Sequence, residues 1–353
     1  MRLDDYGWCD RVDALFAFFR DRDLVPARVS RVDRGAVVVE TAEGTGAAVV
    51  PGALDADGES GPPAVGDWVA LDTRADTAVV RAIMPRTGAL RRRRPGAADS
   101  DQVVAANVDL VFVVESVERG PNPRRIERAV ALAWDAGATP VVVATKIDLA
   151  DDPDGALTRA RVGAPFEEVL PVSAVTSEGL GAISDLLAPG ATAVLLGPSG
   201  VGKSTLINRL LGEERMAVSE VRAADAKGRH TTTRRELVVL PEGGCLIDTP
   251  GVRELGLWLT ADGIDIAFPE IERAAERCRF RDCRHDTEPG CAVLAEVEAG
   301  RIDAARLAGY HRLRREAERL EERVDPTRRH EIRARERGFG KMVKQFKRLK
   351  NGR

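Results

Sequence analysis

The chain has 353 residues, 44% of them hydrophobic and 31% charged, the balance of a folded protein that buries a core rather than of a disordered chain. No apolar run approaches the ~18 residues that cross a bilayer, Asp4, Asp5, Asp10 and Asp13 do not fit a secretory leader, and five cysteines are too few to staple a chain of this length. The expectation is a cytoplasmic protein without a membrane partner, of two or three domains at ~100–200 residues each. The net charge of −3 conceals an asymmetry: residues 326–353 carry eleven Lys/Arg against two Glu, a surplus of +9 that leaves −12 for the rest. A polycationic end of this kind points to an anionic partner.

Residues 1–24 read as a helical lead-in, with the helix over 12–19. Five short alternating stretches follow, at 27–31, 36–40, 46–50, 67–72 and 78–83, separated by Gly/Pro/Asp turns. Five such strands within 25–90 predict a small β-barrel, and an OB-fold fits the count. Barrels of that kind bind RNA or single strands, although this one offers few aromatic stacking platforms and Trp68 is expected in its core. Arg91-Arg92-Arg93-Arg94-Pro95 reads as a basic linker. The pattern then changes over 96–260. Long apolar strands at 108–114, 140–145, 168–174 and 192–197 alternate with amphipathic helices such as 124–135 and 179–187, predicting an α/β domain with a mostly parallel sheet. Beyond Leu259 no strand is expected. A cysteine/histidine cluster and charged helices, one over 311–324, fill 261–353.

Gly197-Pro198-Ser199-Gly200-Val201-Gly202-Lys203-Ser204 follows an apolar strand and opens a helix at Thr205. This is the P-loop pattern in its required context: backbone N–H groups and the helix N-terminus cradle phosphate oxygens, Lys203 reaches the β- and γ-phosphates, and Ser204 ligates Mg²⁺. Asp248-Thr249-Pro250-Gly251 ends a second apolar strand over 244–247. Asp248 is the candidate to hold Mg²⁺, through water, and the Gly251 N–H the candidate sensor of the γ-phosphate. Between them lies His230-Thr231-Thr232-Thr233. Thr231 or Thr232 can complete the Mg²⁺ shell and clamp the γ-phosphate, as an ordered switch does.

Thr145-Lys146-Ile147-Asp148 follows the strand at 140–144 and resembles the N-K-x-D base-recognition element of GTPases. A carboxylate at Asp148 accepts both the N1–H and the 2-amino protons of guanine, donors that adenine lacks in that arrangement. Lys146 would lay its stem along the base. Ser173-Ala174 would offer a backbone N–H to guanine O6. Thr145 stands where Asn is usual, so a contact to guanine N7 and the loop-bracing hydrogen bonds of Asn are expected to be reduced. The order is unusual: the base elements precede the P-loop, the threonines and Asp248. Each still terminates a strand, so a circularly permuted chain could assemble the same sheet, and the segment after Gly251 runs straight into the C-terminal region. Finally, Cys278, Cys283, His285 and Cys291 fall within fourteen residues, a donor set for a closed, structural, tetrahedral Zn²⁺ site. Cys9, Cys245, His311 and His330 have no partner spacing and read as plain thiols and surface histidines.

Together the permuted order, the P-loop, His230–Thr233, the run from Asp248 to Leu255 and the Cys278/Cys283/His285/Cys291 cluster resemble the RsgA family, also called YjeQ, over roughly residues 25–350. The resemblance implies an N-terminal OB-fold, a permuted GTPase and a C-terminal zinc domain. It also implies GTP hydrolysis stimulated by the small (30S) ribosomal subunit, contact with its rRNA, a role in late subunit maturation, and release after hydrolysis. The factor is expected to be a monomer. An RNA-binding assembly factor in which nucleotide occupancy matters and hydrolysis is incidental is the alternative. Val252 occupies the place after D-x-x-G where many GTPases carry a water-orienting Gln, so a slow intrinsic rate is expected, with His230 as the candidate catalytic residue.

Overall fold

Alternation of small apolar residues builds the first unit. In the computed structural model, which describes residues 2–52, 61–93, 101–213, 235–248, 257 and 259–322, strands β1 (Val25–Asp33), β2 (Ala36–Thr41), β3 (Gly44–Val49), β4 (Trp68–Asp72) and β5 (Ala78–Ile83) pair in the order β1-β2-β3-β5-β4 and close through β4 onto β1. Only β3 and β5 run parallel. This is the expected five-stranded OB-type barrel. Its interior is Ala27, Val29, Val37, Val39, Ala48, Val69, Leu71 and Val80, side chains small enough to fill the narrow interior of a five-stranded barrel. Trp68 is buried, but it packs outside that interior against Trp8 of the lead-in. The lead-in itself is helical over α1 (Asp10–Arg20).

Most of the arginine run is strand rather than linker, and Arg94 and Pro95 lie outside the described residues. Arg91, Arg92 and Arg93 belong to β6 (Ala89–Arg93), which pairs antiparallel with β7 (Asp101–Ala106) as a two-stranded ribbon. Side-chain charge says little about a strand whose alternate residues lie in solvent, and the partner strand 101–106 was not expected.

Next come β8 (Leu110–Ser116), β9 (Thr139–Thr145), β10 (Glu168–Val172), β11 (Thr192–Leu196), β12 (Glu236–Val239) and β13 (Cys245–Asp248). Their order is β10-β9-β8-β11-β13-β12, parallel except for β12, whose Arg31↔Glu236 pairing joins this sheet to the barrel. The strands read as continuous apolar runs because both faces are covered. Period 2 divides them: Val111 and Val113 face one core with α2 (Pro123–Asp135), while Phe112 and Val114 face another with α5 (Lys203–Leu211). Each such buried side chain contributes about 1.5–3 kcal/mol. Helices α3 (Pro153–Gly163) and α4 (Leu180–Leu186) complete the cover.

After Leu257 the described residues hold only helices: α6 (Ala261–Ala267), α7 (Pro269–Ala275), α8 (Ala292–Glu298) and α9 (Ala304–Glu322). They share one core with α2 and with Tyr6, Val12 and Phe16 of the lead-in. On α9, Arg306 and Arg312 reach Glu127 of α2 at 3.5 and 2.9 Å, and Glu316 takes Arg128 at 2.7 Å. Arg28, itself buried, ties three regions together: it donates to the Tyr6 carbonyl (3.0 Å) and to Thr192 Oγ1 (3.1 Å), and its guanidinium lies over Trp68. The basic segment 326–353 lies outside the described residues, as does His330.

Candidate functional site

Parallel strands bring their carboxyl ends to one edge of a sheet, which is where open α/β sheets bind ligands. Here the register sets Ser116 beside Thr145, Thr145 beside Val172, and Leu196 beside Val113. The ends of β9, β10, β11 and β13 therefore lie along one rim, although they come from about 145, 173, 197 and 248 in the chain. The permuted order alters only the connections.

The P-loop leaves β11 at Gly197. A Cβ there would stand 2.3 Å from the Val114 carbonyl oxygen, so only glycine allows the loop to turn beside β8. Gly200 adopts φ +84°, open to glycine at no cost. Gly202 caps α5, whose first residues are Lys203 and Ser204. The first N–H groups of that helix and its dipole make an anion site. The Lys203 ammonium donates to the carbonyls of Gly197 and Pro198, both at 2.7 Å, which holds it over the loop that Ser199 and Val201 complete.

Asp248 ends β13, directly opposite Glu236 of β12. Burial pushes its carboxyl up to about 6, Lys203 pulls it down and Glu236 raises it further. A carboxylate poised between a lysine and a second acid gains from a cation, and Ser204 with Asp248 is a donor set of hard oxygens that suits Mg²⁺.

On the base side, Thr145 is buried, and its hydroxyl lies 2.5 Å from the Val201 carbonyl and 3.1 Å from the Glu115 carbonyl. The smaller residue thus retains a brace between base loop and P-loop that the sequence reading expected to be reduced. Lys146 sits at φ +60° and donates to Glu118 at 2.6 Å. Asp148 follows, exposed, in a single turn, Ile147–Leu149, whose Ile147 is buried. Ser173 is fully buried; its N–H goes to the Glu178 carbonyl (3.0 Å) and its Oγ accepts from the Thr176 N–H (3.1 Å). That leaves Ala174 as the backbone donor toward a base. His230, Thr231, Thr232 and Gly251 lie outside the described residues. Glu115 and Glu118 were not singled out in the sequence, where an acidic residue after an apolar strand carries no distinguishing signal.

The second centre lies in the turns between α7 and α8. The ligand atoms of Cys278, Cys283, His285 and Cys291 all lie within 4.8 Å of one another. Cys278 Sγ is 3.8 Å from Cys291 Sγ, and His285 Nδ1 is 3.6 Å from Cys278 Sγ and 3.5 Å from Cys291 Sγ. A tetrahedron with Zn–S near 2.3 Å and Zn–N near 2.0 Å has edges of about 3.8 Å between sulfurs and about 3.6 Å from sulfur to nitrogen. Cys278, His285 and Cys291 therefore already stand at metal-binding separations, with the Cys283 sulfur within 4.8 Å of each. The N–H groups of Ala292 and Leu294 point at the Cys278 and Cys291 sulfurs (3.4 and 3.5 Å), the backbone support that thiolate ligands use. His311 is not a plain surface residue: its Nε2 is 3.1 Å from the His285 carbonyl, so α9 steadies a ligand-bearing turn whose His285 sits at φ +60°. Cys9 is exposed and Cys245 buried, each apart from this group.

Comparison with known proteins agrees with this geometry. The RsgA GTPase family model matches residues 83–258. A Streptomyces coelicolor protein named small ribosomal subunit biogenesis GTPase RsgA is 44% identical, covering 99% of this chain and 96% of its own. An Opitutus terrae protein of the same name is 43% identical over 92% of each. The crystal structure of YjeQ from Thermotoga maritima superposes with a TM-score of 0.64 at 26% identity, over 83% of this chain and 98% of that one. YloQ, described as a circularly permuted GTPase, shares the fold at a TM-score of 0.60 and 23% identity, over 84% and 95%. With its P-loop and the loops at 145 and 173 on one rim of a permuted sheet, and with near full-length relatives at this identity, the chain belongs to the RsgA family of circularly permuted GTPases.

Proposed function

We propose that this GTPase acts in the biogenesis of the small (30S) ribosomal subunit, is stimulated by that subunit, and leaves it after GTP hydrolysis. The observation that carries the proposal is the near full-length similarity to relatives named for that role. The division into a barrel over 25–90, a GTPase unit over 96–260 and a metal-bearing unit over 261–353 belongs to the same reading, as do a monomeric state and a cytoplasmic site of action.

In this reading Asp148 selects guanine by accepting its two adjacent N–H groups. Lys146 flanks the base, and the Ala174 N–H meets O6. Gly197 to Thr205 hold the phosphates, with Lys203 on the β- and γ-oxygens. Ser204, Asp248 and Thr232 would hold Mg²⁺, which would supply charge neutralisation at the phosphoryl group. Gly251 would sense the γ-phosphate, and Thr231 or Thr232 would contact it. Val252 cannot orient water, so His230 is assigned that task. Cys278, Cys283, His285 and Cys291 would hold Zn²⁺ in a structural role, a four-ligand set of the kind that closes a site. The basic segment 326–353 and the barrel supply phosphate contacts to rRNA, whose strength falls with salt.

The test is GTP hydrolysis by the purified protein with and without isolated 30S subunits, with ATP as control. Strong stimulation specific to GTP is the expected result. Slow hydrolysis indifferent to subunits would refute the ribosomal part of the proposal and leave the GTPase intact. His230→Ala should lower stimulated turnover while keeping nucleotide affinity; unchanged turnover would remove His230 from catalysis.

A further inference from the structure

Two acidic residues outside every motif hold the base-recognition loop from behind. β8 and β9 end side by side, with Glu115 level with Ala144 and Ser116 level with Thr145. The Glu115 carbonyl lies 3.1 Å from the Thr145 hydroxyl. Its side chain is only 2% exposed, and its carboxylate receives both Nε and Nη2 of Arg125, the latter at 2.7 Å. Three residues on, the Glu118 carboxylate receives Lys146 Nζ at 2.6 Å. The short segment 115–118 therefore touches the base loop twice, once at Thr145 and once at Lys146. Arg125 anchors that segment from the first turn of α2, where Asn122 caps the helix and fixes its start.

The anchoring is strong for a physical reason. A buried carboxylate without its partner is costly and would turn toward water. Moving Glu115 drags its carbonyl away from Thr145 and Glu118 away from Lys146. Lys146 is a non-glycine residue at φ +60°, a conformation that persists only where its surroundings hold it. Asp148 lies two residues further along the same turn.

We propose that Arg125, acting through Glu115 and the 115–118 segment, is a positioning residue for guanine recognition. It sets where Thr145 and Lys146 stand on the rim and therefore where Asp148 meets the base. Glu118 is the second hold on the same loop. The inference rests on reading 145–148 as the guanine site.

The experiment measures binding of fluorescent GDP to the full-length protein, with unlabelled GDP, IDP and ADP as competitors. IDP lacks the 2-amino group that Asp148 would accept. The variants are Arg125→Met, Arg125→Lys, Glu118→Gln, Thr145→Val and the double variant R125M/T145V. Arg125→Met should weaken GDP about tenfold and narrow the preference for GDP over IDP, with kcat at saturating GTP within about twofold of wild type. Arg125→Lys should recover part of the loss, since a point charge still pairs the carboxylate. The double variant should lose less than the product of the single losses, because both act on one contact. A purely structural role would lower the unfolding midpoint without moving the GDP/IDP ratio. An unchanged ratio in Arg125→Met, or losses that multiply in the double variant, overturns the inference. A wild-type protein that fails to prefer GDP over ADP would instead overturn the guanine reading itself, and this inference with it.

Discussion

Removing the metal should unfold part of the molecule and leave the rest standing. The perturbation is Cys291→Ala, or chelation of the wild type. Cys291 is buried, caps α8, and supplies a ligand atom 3.8 Å from Cys278 and 3.5 Å from His285. Structural Zn²⁺ sites contribute apparent binding energies of about 10–16 kcal/mol at neutral pH, as large as the whole stability of an ordinary domain, about 5–15 kcal/mol. Around the cluster, by contrast, the turns between α7 and α8 expose Arg279, Phe280, Arg281 and Arg284, so little apolar burial opposes opening there. The cluster should therefore lose its order when the metal leaves. α9 should stay docked, because Arg306, Arg312 and Glu316 hold it on α2 independently. The assay is zinc release to a chromophoric chelator, read beside proteolysis and thermal unfolding. The expected result is one zinc per chain, a new cleavage within 276–291 in Cys291→Ala, and GDP affinity within about twofold of wild type. A protein purified without metal, with Cys291→Ala melting and cleaving like wild type, would refute the reasoning.

Three further outcomes are expected. Lys203→Ala should lose nucleotide binding by more than about 100-fold, since Lys203 is the ammonium held over the phosphate loop; isothermal titration with GDP checks it. Asp148→Asn should exchange guanine for xanthine nucleotides, because the amide can donate where the carboxylate accepted; competition by XDP and GDP decides it. Asp135 should make stability fall with rising pH. Burial raises its carboxyl to about 7, against the pull of the Thr260 hydroxyl and Arg91. The folded state therefore binds the proton more tightly than the unfolded state, so the contribution is lost as pH climbs from about 4 to about 7. Asp135→Asn should flatten that slope in urea unfolding; an unchanged slope would show that another group produces it.

Much of this protein is written in short-range pattern. The P-loop needs glycines where the chain passes Val114 and a lysine at the helix start, so composition and spacing suffice to find it. The five barrel strands alternate with period 2, and their ends were placed within two residues because Gly, Pro and Asp turns bound them. The metal ligands announce themselves because three thiols and an imidazole within fourteen residues have little other use. The permuted order was legible too, since each motif still follows its own strand.

What the chain alone did not disclose depends on contacts between distant segments. The ribbon of Ala89–Arg93 with Asp101–Ala106 is a pairing, and an arginine run carries no sign of its partner. His311 has no ligand spacing, yet α9 brings it 3.1 Å from His285, twenty-six residues earlier. Thr145 looked like a weakened Asn until the P-loop carbonyl of Val201 arrived beside its hydroxyl from fifty-six residues away. Glu115, Glu118 and Arg125 acquire meaning only when β8 lies against β9. Local sequence determines which chemistry each loop can perform, because backbone conformation and ligand type are local properties. Which side chains steady that chemistry is decided by packing, because hydrogen bonds and ion pairs act over a few ångströms of space whatever their separation along the chain.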